Sequence, residues 1–256
     1  MIRRSHKKSR FQVSDVADLC DKVDLLVRKG ARCAVLNIYK LMFRQRIAVA
    51  AHRLGLYYLT GVLDGVSEPG RRKPARIISY NLARFYLYRA NRWGVDEAAH
   101  DIVWLLFNEL KRNRTVKTIS KAKRQRIWIR VALEREHGSR RYALYEMLGW
   151  NYYWYGNESS RQQQAVRYWR VAAKGNDGTA LGELAIAYGW GEGVRRSLSI
   201  SMRYFKRVLE VDHSLLPTVI KNVGAICRDK RLSTHVLKRS GFLSFFRRLK
   251  ESEHSV

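Results

Sequence analysis

Two stretches of this chain, 36 residues apart, repeat one another. Ala180, Leu184, Ala185 and Tyr188 return as Leu144, Leu148, Gly149 and Tyr152. Ala165, Tyr168, Trp169, Ala172, Ala173 and Gly175 fill the interval between them. A fixed return of this length marks a supersecondary unit that cannot bury its apolar face alone and must stack on its neighbours. Leu and Tyr four apart share one face of a helix. A Gly or Ala beside the Leu lets a second helix approach, and the glycines after Tyr188 (Gly189, Gly191, Gly193) supply a turn in which positive φ is available. The aromatic pair and the Ala-Ala of the second helix then fill the space between neighbouring pairs.

This arrangement resembles the Sel-one-like repeat, a relative of the tetratricopeptide repeat. Its pattern is Ala-x-x-x-Leu-Gly-x-x-Tyr-x-x-Gly-x-Gly-Val, followed by Lys-Ala-x-x-Trp-Tyr-x-x-Ala-Ala. Ala180, Leu184, Tyr188, Gly191, Gly193 and Val194 match the first half, with Ala185 at the Gly position; Ala165, Tyr168, Trp169, Ala172 and Ala173 match the second. An earlier copy of the first half reads Ala50, Leu54, Gly55, Tyr58, Gly61, and a fainter one Leu82, Ala83, Tyr86. The resemblance implies an all-α solenoid of antiparallel helix pairs, and an adaptor that holds partners on a helical surface, seldom an enzyme.

Periodicity supports helices throughout. Val16, Leu19, Cys20, Val23, Leu26 and Val27 recur at threes and fours behind Ser14, a suitable N-cap. Further apolar faces run over 31–43, 47–59, 75–91 and 95–110, with Pro74 suited to a first helical turn. No strand-like alternation is sustained. The expected organisation is a basic tail over 1–13, degenerate helical pairs over 14–110, and a basic connecting helical segment over 111–141. Sel-one-like repeats follow over 142–212 and capping helices over 213–250. The segment from Gly241 to Lys250 is apolar on one side and basic on the other, which suits a cap and also an anionic membrane surface.

Charge narrows the partner. Fifty Lys and Arg against 22 Asp and Glu leave +28, an excess that repels itself unless something negative lies near. An acidic protein, nucleic acid and anionic lipid all qualify. The stretch 111–141 holds 12 cations and two acids. Lys117, Lys121 and Arg124 align on one helical face, Lys123, Arg126 and Arg130 on an adjacent one, with Val116, Ile119, Ile127, Trp128 and Val131 expected to anchor them. Such a helix can track a phosphate backbone by releasing counterions. The loop cluster Arg71, Arg72, Lys73 and the helical cluster Arg167, Arg170, Lys174 add further cations, the latter echoed by Arg203, Lys206 and Arg207. Trp150, Tyr153 and Trp154 are the candidate aromatic contacts, of a kind common in protein interfaces.

Enzymatic and metal chemistry find no foothold. The three cysteines (Cys20, Cys33, Cys227) lack ligand spacing and read as reduced core residues, and no histidine pairs at metal-binding intervals. The glycines at 189–193 follow a helix and lack Gly-Lys-Ser or Gly-Lys-Thr, so they are a turn and no phosphate loop. His100 and Asp101 stand beside no nucleophile. No apolar run reaches a membrane span. The expectation is a non-enzymatic cytoplasmic adaptor without cofactor or small-molecule substrate. It engages an acidic protein through a basic, aromatic-containing surface, with sequence-tolerant RNA or DNA binding through 111–141 as the alternative.

Overall fold

The computed structural model describes residues 13–29, 31–61, 78–112, 118–157 and 160–253, and among them the regular structure is helical, with no strand. Two compact units divide the chain, Met1–Ala132 and Leu133–Val256. The first holds α1 (Val13–Arg28), α2 (Arg32–Arg44), α3 (Ala48–Thr60), α4 (Tyr80–Arg92), α5 (Glu97–Arg112) and nearly all of α6 (Thr118–Arg135). The second holds α7 (Arg140–Tyr155), α8 (Arg161–Ala173), α9 (Gly178–Trp190), α10 (Leu198–Val211), α11 (Leu216–Cys227), the short α12 (Thr234–Arg239) and α13 (Phe242–Glu253). The helices pack in pairs, foremost α3 with α4, α7 with α8 and α9 with α10, as the repeat in the sequence requires.

Helix starts follow side-chain chemistry. Ser79, Asp177 and Ser197 each accept the amide three residues on, from Leu82, Ala180 and Ile200. Two expected starts shift. The first helix already includes Val13, so Ser14 lies inside it, and α4 begins at Tyr80 behind the Ser79 cap, five residues beyond Ala75. Pro74 lies outside the described residues.

A constant step ties second helices to the first helix of the next pair. The interval from Val35 to Ala50 recurs unchanged from Ala83 to Ala98, from Ala165 to Ala180 and from Ser201 to Leu216, and all eight residues are buried. The step within a pair varies. It is the same from Leu144 to Ala165 as from Ala180 to Ser201, but longer by twelve from Ala50 to Ala83, so α3–α4 carries an insertion between its helices. One interaction marks the register in three pairs. Tyr58 stacks on Tyr86, Tyr152 on Tyr168 and Tyr188 on Tyr204, with ring centroids 5.6, 5.2 and 5.8 Å apart and planes within 17°. This corrects the reading of Leu82, Ala83 and Tyr86 as a new first half. They are the second half of the unit opened by Ala50, displaced by the long connection, while Leu82 itself is exposed.

Close approach between paired helices rests on Gly55 and Gly149. A Cβ on Gly55 would lie 2.6 Å from the Leu87 side chain, and one on Gly149 would lie 2.3 Å from Trp169 Nε1. In the next pair Ala185 stands at the Gly149 position and Phe205 at that of Trp169; the smaller ring leaves room for the methyl group. Ser201, fully buried, donates its hydroxyl to the Ala185 carbonyl at 2.7 Å. No orphan polar atom results there. One core runs through the second unit from Ala165 to Leu249, and the apolar face of α13 (Phe242, Phe245, Leu249) is spent inside it. Burying each such side chain contributes about 1.5–3 kcal/mol. Cys33 is exposed, contrary to the expectation of a core residue, because it lies on the outer face of α2.

Candidate functional site

The surplus charge is unevenly shared between the two helix classes. The second helices α2, α4, α6, α8 and α10 together hold 18 Lys and Arg and two acids, Glu134 and Glu210. The first helices α3, α5, α7, α9 and α11 hold six cations and five acids. The first helices spend their positions on Leu, Gly, Ala and Tyr for packing, whereas the charged positions of the second helices are nearly all cations.

In the first unit, α6 turns differently from the sequence expectation. Its buried face is Ala122, Gln125, Ile129 and Ala132, while Ile119 and Ile127, expected as anchors, are more than half exposed. Of the other expected anchors, Trp128 packs against the core of the first unit and Val131 is half-buried, so the expected face is held on one side only. Lys123, Arg124 and Arg130 face outward, Arg126 is half-buried, and Lys121 reaches Glu109 at 3.9 Å. Glu109, only 6% exposed, also accepts from Arg84 of α4. Two cations thus neutralise one buried carboxylate. Arg71, Arg72, Lys73 and Lys117 lie outside the described residues.

Beside that node is a groove that sequence reasoning missed. A cavity of about 350 Å³ is lined by Arg46, Arg89, Arg92 and Trp93. Arg89 and Arg92 are shared with a second, wider cavity of about 620 Å³ that reaches Asn81, Phe85, Tyr88 and Trp128. The Arg89 guanidinium sits 4.2 Å over the Phe85 ring, and Tyr88 meets Trp128 edge-on at 5.0 Å. Among the described residues no carboxylate lines either cavity. The only sequence signal was Arg and aromatic residues alternating along α4, which a helix that packs on both sides hides among its core positions.

In the second unit, Arg167 with Arg203 and Arg170 with Lys206 occupy equivalent positions one repeat apart, and all four are exposed, as is Lys174. Arg170 donates to the Tyr188 hydroxyl at 2.6 Å. Arg207 turns back to donate to the Ala173 carbonyl and Asn176 Oδ1, closing the end of α8. The aromatic trio is brought together on α7, with Trp150 and Trp154 stacked at 6.2 Å. Trp150 and Tyr153 pack against the core, and Trp154 alone is exposed, at 53%. The Tyr153 hydroxyl donates to Glu192 at 3.0 Å, and burial, this hydrogen bond and the Glu192 charge push its pKa up to about 12. Glu183 nearby is pushed up to about 7, foremost by burial and then by Glu192. The trio therefore borders carboxylates, with Arg161 the cation that acts on Tyr153. Basic and aromatic side chains adjoin at Arg170 with Tyr188 and, more densely, along α4.

Asp101 pairs with His52 of α3 at 2.6 Å, and not with its neighbour His100. Among the described residues no group of three or more His, Cys, Asp or Glu is placed to hold a metal ion, and no helix is long and apolar enough to cross a membrane.

No family model and no curated protein matches the sequence. Solved structures do match the fold. A Sel1 repeat protein from Oxalobacter formigenes superposes with a TM-score of 0.54 at 19% identity, over 83% of this chain and 76% of that one. The protective antigen c5321 of uropathogenic Escherichia coli strains, which displays an SLR fold, superposes with a TM-score of 0.55 at 18% identity, over 89% of this chain; this chain spans 44% of that protein.

Proposed function

We propose, from the premise that this chain has the Sel1-like repeat fold, that it is a non-enzymatic scaffold for an acidic protein partner. The repeat fold carries the coarser part, a helical scaffold for protein interaction. The segregation of charge carries the finer part: 18 cations against two acids on the second helices, six against five on the first. The second helices therefore carry charge of nearly one sign, as a surface complementary to an acidic partner would. Arg167, Arg170 and Lys174, with Arg203 and Lys206 one repeat on, are the cations of the second unit that serve this surface.

The test is affinity capture from the native host with the full chain as bait, after nuclease treatment, set beside an Arg167→Glu, Arg170→Glu, Lys174→Glu variant. The reading expects an acidic protein that elutes with salt and is lost from the variant. Capture that vanishes with nuclease supports nucleic-acid binding through α6 instead, and a partner retained by the variant contradicts the surface assigned here.

A further inference from the structure

The groove along α4 has a property that its charge alone does not explain. Arg46, which lines it, has a φ of 63°. This is a left-handed conformation that side chains other than Gly and Asn rarely adopt. The constant register identifies its counterparts. Eleven residues after Val35, Ala83 and Ala165 stand Arg46, Gly94 and Asn176, all at positive φ, while the fourth counterpart, Asp212 after Ser201, is extended. Gly and Asn are the residues this turn favours; the first unit holds an arginine there, strained, and its side chain joins Arg89 and Arg92 at the cavity. Among the described residues none of these three arginines has an ion pair, and the nearest buried acid, Glu109, is already neutralised by Arg84 and Lys121.

The groove follows one face of α4 from Asn81 to Arg92. At the helical rise this is a length of about 16 Å. An extended peptide of about five residues covers that distance. Its cations are all Arg, whose planar fork binds carboxylates in pairs of hydrogen bonds, and its walls are Phe85, Tyr88, Trp93 and Trp128. Arg, Trp and Tyr in a concave setting are the residues that dominate protein interfaces. The rings already engage one another and Arg89, so they act as walls and not as free faces on which bases would stack.

Resting on the scaffold reading, we infer that this groove binds a short extended acidic segment of a protein partner. Carboxylates of the segment meet Arg46, Arg89 and Arg92, and an apolar side chain lies against Phe85 and Trp128. The test uses a fluorescent peptide of alternating glutamate and phenylalanine, read by anisotropy at moderate salt, with glutamine-for-glutamate and oligothymidylate probes alongside. Losing two arginine contacts by Arg89→Glu with Arg92→Glu weakens the acidic peptide by about 100-fold, and Arg46→Gly by about tenfold. The thermal midpoint of Arg46→Gly stays level or rises, because the strained φ is relieved. The matched pair Lys123→Glu with Arg130→Glu on α6 changes binding by less than about threefold.

Equal losses in both pairs, no binding of the acidic peptide, or tighter oligothymidylate binding through the same arginines overturns the assignment. If the captured partner depends on Arg167 and Arg170 but not on Arg89 and Arg92, the scaffold reading stands and the groove assignment falls.

Discussion

First and second helices of each pair share one core and differ on the outside. In the first helices the packing residues leave few outward positions, and part of their charge is turned inward: on α5, Glu109 is buried against Arg84 and Lys121 and Asp101 pairs with His52. The second helices bury Ala83, Leu87 and Ala90, or Ala165, Trp169 and Ala172, and turn the remaining positions outward with cations. The net charge of these helices therefore resides almost wholly on the second ones, 18 cations against two acids, while the first ones are close to neutral.

The inward half of this contrast is broken most severely at Trp169. Trp169→Ala costs about 3–5 kcal/mol and lowers the melting temperature of the second unit, measured by circular dichroism. Gly149→Ala costs less, about 1–3 kcal/mol. Its methyl group meets the indole at 2.3 Å. Adding Trp169→Phe reproduces the Ala185 and Phe205 combination of the next pair and recovers most of that loss, so a double-mutant cycle returns a coupling of about 1 kcal/mol or more. Additive losses would mean that the two pairs do not share one packing rule.

Acidic groups on first helices give the next effect. Glu109→Gln leaves Arg84 and Lys121 without their carboxylate and costs about 2 kcal/mol. The loss is smaller than in a fully buried pair because Arg84 is a third exposed. Glu183 titrates at about 7 in the folded chain, above the ordinary glutamate value of 4.5. A raised acid pKa favours the folded state while protonated, so the Glu183 contribution is fully present below about pH 4.5 and is lost as pH rises towards 7. That loss is on the order of 3 kcal/mol at most. Urea denaturation across that window shows the slope reduced in Glu183→Gln; an unchanged slope places the titration elsewhere. Smallest is Arg207→Met, which loses the bonds to Ala173 and Asn176 at the end of α8. It costs about 0.5–1 kcal/mol.

Much of the inward architecture was readable from the sequence, because packing demands particular residues at fixed intervals. Leu148, Gly149, Tyr152 and their copies at 184, 185 and 188 announced α7 and α9, and Trp169 with Ala172 announced α8. The register of α3–α4 was hidden by the twelve extra residues between the helices, which made Tyr86 look like a first-half tyrosine until its stacking on Tyr58 was seen. On α6 Trp128 was legible as an anchor, but Ile119 and Ile127 misled, since periodicity alone does not tell an exposed isoleucine from a buried one such as Ile129. The groove was illegible for a different reason: Arg46 and Trp128 lie on or beside other helices than α4, and only the fold brings each to a cavity that Arg89 also lines.

The most direct test of charge placement compares two variants of equal net charge in the second unit, read as affinity for the captured partner. One reverses the second-helix cations Arg167 and Arg203 to Glu; the other reverses the exposed first-helix cations Arg141 and Lys221. The account predicts about a tenfold or greater loss in the first and less than about a threefold loss in the second. Equal losses would show that total charge, and not the exterior of the second helices, governs binding.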